Sequence, residues 1–174
     1  MKSTPPPPAR ERVVDAFEPL EDCHRATLRM LTELALLVAR AEDAGVDARA
    51  RDRARSIDRY FSVELPRHHV DEETHVFPTL ADRGDPDTVQ AVARLKQEHA
   101  WLRADWRVLS PFVKALASGQ SWVDVDALRD GVEVFRALAR DHIALEESVI
   151  YPQARIRLLE STRREMRLAL ASRG

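Results

Sequence analysis

An eleven-residue pattern occurs twice in this chain. His68-x-x-x-Glu72-Glu73-Thr74-x-x-Phe77-Pro78 aligns without a gap to His142-x-x-x-Glu146-Glu147-Ser148-x-x-Tyr151-Pro152, 74 positions later. His24 and His99 lie 75 positions apart, so a segment with one histidine, followed by a segment with His-x-x-x-Glu, recurs almost in register. A chain of two such copies is expected to fold about a pseudo-twofold axis.

The segments that carry the repeat have helical periodicity. Apolar residues recur as Phe17, Leu20, Leu28, Leu31, Ala35, Val38; as Ile57, Phe61, Leu65, Val76; as Val92, Leu95, Leu102, Trp106, Leu109, Val113; and as Leu128, Phe135, Leu138, Leu145, Val149. Breaks fall near Gly45, at Arg83-Gly84-Asp85-Pro86 and from Ser118 to Ser121, with Asp85 a predicted N-cap ahead of Pro86. Short connections predict an all-α, up-down-up-down four-helix bundle, and an amphipathic stretch over 161–171 predicts a short C-terminal fifth helix. Pro66, inside the second helix, should kink it just before its ligand pair. Only 5 glycines and 6% aromatic residues argue against a large β component.

Residues 1–12, with Pro5 to Pro8 in succession and no apolar core, read as a flexible arm ahead of one domain over 13–174. Acidic and basic residues are interleaved and the net charge is -2, which offers no field for nucleic acid or an anionic membrane. No apolar run approaches the roughly 18 residues of a membrane span. The single cysteine, Cys23, excludes an internal disulfide and thiolate clusters within one chain, and predicts a reducing, cytoplasmic setting.

One histidine interrupts the apolar seam of each helix. His24 and His99 lie toward the starts of the first and third, His68 and His142 toward the ends of the second and fourth. Antiparallel neighbours bring those positions to one height. A bundle core does not call for buried carboxylates, which cost several kcal/mol unless paired or bound to metal. Residues i and i+4 lie about 40° apart on a helix, so His68/Glu72 and His142/Glu146 can each bind one centre. The predicted ligand set is therefore His24, His68, Glu72, His99, His142 and Glu146. Glu72 and Glu146 can each bridge two cations, leaving two imidazoles per metal and at least one open coordination position on each. Imidazole and carboxylate without thiolate suit iron, with manganese or zinc compatible by ligand type.

These motifs, with Gln97-Glu98-His99, resemble the hemerythrin-like HHE cation-binding family from about Phe17 to Pro152. The resemblance implies a four-helix bundle with an oxo- or hydroxo-bridged pair of irons and Glu72 and Glu146 as bridging ligands. The chain departs from the oxygen-carrying members: Leu95 and Arg103 flank His99 where a second third-helix histidine would lie, and the fourth helix uses Glu146 at i+4 rather than an aspartate at i+5.

His69, Glu73 and Glu147, rotated by about 100° or more from the ligand pairs, are expected on a helix flank or in solvent. His75, about 20° from His68 but two turns on, is a further candidate ligand or a rim residue. Glu64 is a candidate acceptor for an imidazole N–H. Cys23 and the three tryptophans read as packing residues. The expected function is reaction with a small diatomic or peroxide ligand (O2, peroxide, nitric oxide) in stress protection, with electrons from a donor the sequence does not identify. The alternatives are reversible O2 or NO binding or sensing, and an iron-dependent interaction module without turnover.

Overall fold

A computed structural model describes residues 15–43, 45–81, 85–120, 122–158 and 160–172, with the side chains of 160–162 left aside. The proline-rich arm lies outside the described residues, which are all-α, without a strand. The elements are α1 (Glu18–Asp43), α2 (Ala48–Arg59), a π turn (Tyr60–Glu64), α3 (Leu65–His75), α4 (Phe77–Ala81), α5 (Pro86–Ala117), α6 (Val125–Leu145), a second π turn (Glu146–Ile150), α7 (Tyr151–Arg157) and α8 (Glu160–Ala171).

Aspartates start three of these helices. The side chains of Asp47, Asp85 and Asp124 accept from the backbone N–H groups of Ala50, Thr88 and Ala127, satisfying donors that have no partner inside the helix. Asp85 ahead of Pro86 is the predicted cap. At the other end of α5, Gly119 takes φ +74 and its N–H returns to the Leu116 carbonyl, a turn that a side chain would strain.

Just before Pro66, where a kink is expected, the helix widens into a π turn. Proline has no N–H to offer the Ser62 carbonyl, and the Leu65 N–H bonds instead to Tyr60, five residues back. The second π turn likewise precedes a proline, Pro152, with the Tyr151 N–H bonded to Glu146. Both π turns adjoin the His/Glu segments.

α1 packs against α2 and α6, and α5 against the same two, closing a ring of long helices. Two apolar clusters fill it. One contains Leu31, Ile57, Leu65, Leu102, Leu109, Phe135 and Ala139. The other contains Phe17, Leu20, Val76, Phe77, Leu95, Ile150 and Tyr151, with Met166 and Leu170 of α8. Along α1 and α5 the chain passes from the second cluster to the first; along α2–α3 and α6–α7 it passes the other way. His24, His68, His99 and His142 each fall between a residue of one cluster and a residue of the other. They form a polar layer between two dry ones.

Candidate metal centre

The six predicted ligand residues converge in that layer, each no more than 5% exposed. Glu72 and Glu146 lie at its middle, each turning one oxygen toward either side. Glu72 Oε1 is 3.3 Å from His68 Nε2 and 3.7 Å from His24 Nε2, while its Oε2 is 3.4 Å from His99 Nε2. Glu146 Oε2 is 3.1 Å from His24 Nε2, and its Oε1 is 3.1 Å from His142 Nε2 and 3.7 Å from His99 Nε2. Two four-residue groups result, His24/His68/Glu72/Glu146 and His99/His142/Glu72/Glu146, which share both carboxylates.

Whether this cluster suits a cation can be tested on its own hydrogen bonding. Glu72 Oε2, both oxygens of Glu146, His68 Nε2 and His69 Nδ1 are buried without a hydrogen-bond partner. The Glu72, Glu146 and His68 atoms meet neighbouring imidazole or carboxylate atoms at 3.1–3.7 Å without forming hydrogen bonds. Native interiors rarely leave so many polar atoms unsatisfied together, and all five belong to residues of the converging donor groups. The donor set fits a metal.

A sequence model of the hemerythrin HHE cation-binding domain matches residues 15–154. The chain belongs to that family. An uncharacterized protein of Haemophilus influenzae is similar to it as well, 32% identical over 133 residues, covering 76% of this chain and 75% of that protein.

One residue of this HHE domain is not where helix geometry placed it. His69, expected on a flank, is 1% exposed and its ring stacks on that of His99 at 3.8 Å. With His99 and His142 it forms a third group of converging donors. The angle that matters is measured from Glu72, the centre of the cluster, rather than from His68. His68 lies about 40° to one side of Glu72 and His69 about 60° to the other, within the width of one buried helix face. The His69/Glu72 spacing of i, i+3 was the available signal.

Glu73 and Glu147 do lie on flanks, each partly exposed, yet both reach back to the layer. Glu73 accepts from His99 Nδ1 at 2.7 Å and Glu147 from His24 Nδ1 at 3.0 Å. Buried Glu98 accepts from His142 Nδ1 at 3.0 Å and is itself held by Arg94 Nε at 2.7 Å. A carboxylate only accepts, so each of these bonds puts a proton on Nδ1 and turns Nε2 toward the centre. Tyr151 adds a hydroxyl that donates to Glu72 Oε1 at 2.5 Å and lies 3.1 Å from His24 Nε2.

Without metal, this layer is an ion-pair cluster. Burial opposes charge on His24 and His99, but Glu146 and Glu72 outweigh it and raise the two pKa values to about 10 and about 9. Burial also opposes the charge on His142, and Glu146 again prevails in raising its pKa. For Glu146, burial and neighbouring Glu72 favour the neutral acid, yet His142 and His24 hold its pKa at about 2. His68 and His69 go the other way, kept neutral chiefly by burial.

The remaining candidates sit elsewhere. His75 is half-buried and belongs to none of the three groups among the described residues; seven residues of helix carry it about 10 Å past His68. Glu64 lies 3.7 Å from Arg59 rather than on an imidazole. Cys23 contacts the Tyr60 hydroxyl at 3.3 Å, and burial pushes its thiol up to about 11. Trp106 is buried with Nε1 donating to Ser62, whereas Trp101 and Trp122 are exposed. No helix among the described residues is long and apolar enough to cross a membrane.

Proposed function

We propose that the protein holds two irons in this layer and reacts with small oxidants or nitric oxide, within an up-down-up-down four-helix bundle completed by α8. The observation that carries the reading is the pair of donor groups that share Glu72 and Glu146. Each carboxylate offers one oxygen to either side, as a bridge between two cations requires. His24 and His68 would hold one iron; His99, His142 and His69 the other. Two adjacent irons, when bound, supply one-electron redox chemistry and positions for a diatomic or peroxide ligand. Manganese or zinc would fit the same atoms by type. Turnover requires electrons from outside the chain, and the single cysteine agrees with a reducing cytoplasm.

The protein's own residues set up that chemistry. Glu73, Glu98 and Glu147 accept from the Nδ1 of three imidazoles, favouring the tautomer whose Nε2 lone pair would be free for a metal. Two apolar clusters keep bulk water from both ends of the layer. The Tyr151 hydroxyl holds Glu72 on the His24 side and places a proton beside it. His24, His68, Glu72 and Glu146 would hold the one cation; His69 converges with His99 and His142 on the other side only, so the His24/His68 side would be the less crowded of the two.

That difference also favours a second reading, reversible binding of O2 or NO. With His69 in place, the two sides are no longer equally open, and confining a ligand to one position protects it from further reaction. Two measurements decide between the readings. Metal analysis with an absorption spectrum of iron-grown protein should give two irons per chain. Mixing the diferrous protein with O2 in a stopped-flow instrument should then give rapid oxidation, with steady consumption of peroxide or NO once a reductant is present. An oxygenated form that persists for many minutes and returns its O2 quantitatively would promote the carrier.

A further inference from the structure

A cavity of about 340 Å³ opens at the surface between the start of α1 and the first π turn, and its lining includes His68. His68 is 5% exposed and its Nε2 has no hydrogen-bond partner. Ala26 on α1 and Leu170 on α8 line it with apolar surface, together with Cys23 and Tyr60, whose thiol and hydroxyl are 3.3 Å apart. Three acids, Asp22, Glu64 and Asp71, one base, Arg67, and the apolar Pro19 and Leu20 complete the lining. Arg25 and Arg59, which pair with Asp22 and Glu64, are not among the lining residues. Three other cavities among the described residues, beside α2, between α1 and α6 and beside α5, touch no residue of the metal layer.

We propose that this cavity is the entry route for a small uncharged molecule to the His24/His68 side of the centre, with Ala26 and Leu170 setting its width and the acidic lining disfavouring anions. The inference rests on the di-iron reading for its destination. It is carried by a separate observation, that the cavity reaches His68 and none of His69, His99 or His142. Stacked His69, Phe77 and His99 close the opposite side. A single approach to the more open position would let oxygen, peroxide or nitric oxide in one at a time. Larger or anionic reductants would have to deliver electrons from outside. α8, which lies beyond the repeated segments, thereby becomes part of the site.

Two probes separate the route from its destination. Cys23, the single cysteine, reports on the cavity whether or not metal is bound. Neutral iodoacetamide and anionic iodoacetate both attack the thiolate, so the ratio of their rates cancels the thiol's ionised fraction. In iron-loaded protein the ratio should exceed that of a free thiol by about threefold or more at low ionic strength, shrinking as salt is added. Asp22→Asn combined with Glu64→Gln should bring it back toward the free-thiol value. Ala26→Trp should slow both reagents and cut the on-rate of nitric oxide to the diferrous protein by about tenfold, with iron content unchanged; Leu170→Trp serves if that variant does not fold, and exposed Val134→Trp is the control. A free-thiol ratio in the wild type removes the charge selectivity. An unaltered NO on-rate in both cavity variants removes the route. Absence of iron from the wild type would instead overturn the di-iron reading, and the destination with it.

Discussion

The two sides of the metal layer descend from one pattern and have diverged at three places. His24 and His99, His68 and His142, Glu72 and Glu146 are repeat partners and occupy corresponding positions. Even the supporting contacts correspond: Glu147 holds the His24 ring as Glu73 holds that of His99, and Tyr151 lies flat on His24 as Phe77 lies on His99. The divergence begins with His69, whose partner in the repeat is Ile143, so one side has an extra imidazole where the other has a methyl-bearing wall. Tyr151 carries a hydroxyl that Phe77 lacks. Glu98, which grips His142, is matched by Cys23, which bonds to Tyr60 instead. The repeat thus supplies a frame that would suit the two equal cations proposed above. Single substitutions place an extra imidazole on one side, and the proposed reactivity would follow from that inequality.

The largest effect should come from the shared groups. Glu72→Ala or Glu146→Ala is expected to take the iron content from two per chain to near zero, because each carboxylate serves both sides. A variant that keeps one iron would show the sides to be independent and break the comparison at its root.

Metal removal comes next. Iron that binds only the folded chain adds about 2.7 kcal/mol at a free concentration a hundred times the dissociation constant, which for a domain of this size is on the order of 5–10 °C in Tm. Equal melting temperatures with and without iron would refute the linkage. The size of the shift should depend on pH. Raised His24 and His99 values mean that their ion pairs stabilise the metal-free fold fully below about pH 6.5, and that this contribution is lost as pH rises through about 9 to 10. The Glu146 contribution is present above the ordinary carboxylate value and is lost only as pH falls through about 2. The metal-free protein should therefore melt progressively earlier in the alkaline range. The iron-loaded protein, whose imidazoles have exchanged protons for metal, should not, and iron uptake should release protons. Thermal melts of both forms from pH 6 to 10 would reveal it.

His69→Ile makes the two sides alike at the position where they differ most. Two irons should still bind, but one should leave to a chelator about tenfold faster than in the wild type, and the diferrous protein should oxidise faster in air. Unchanged release kinetics would mean that His69 only packs against His99. The smallest effect is expected for Tyr151→Phe, which copies Phe77. Glu72 Oε1 loses a buried donor, which costs about 1–3 kcal/mol in the metal-free protein. Iron content should stay at two, and a loss of iron would give the hydroxyl a larger part in holding Glu72.

Much of this was legible in the residues alone. The helical periods, the Asp85 cap, the single layer of four histidines and the two i, i+4 His/Glu pairs all follow from spacing along a helix, because backbone geometry sets the angle and rise between residues of one element. The tertiary structure decided what spacing cannot carry. His69 faces inward because α5 stands beside that flank of α3. Glu147 finds His24 across 123 residues and Tyr151 finds Glu72 across 79, contacts made by long side chains whose direction depends on where the neighbouring helix lies. Which side of the centre meets a cavity was likewise settled by packing, since Leu170 of α8 reaches its wall from a segment that the repeat does not contain. Periodicity along one helix determines which face is polar; only the placement of its neighbours determines what that face touches.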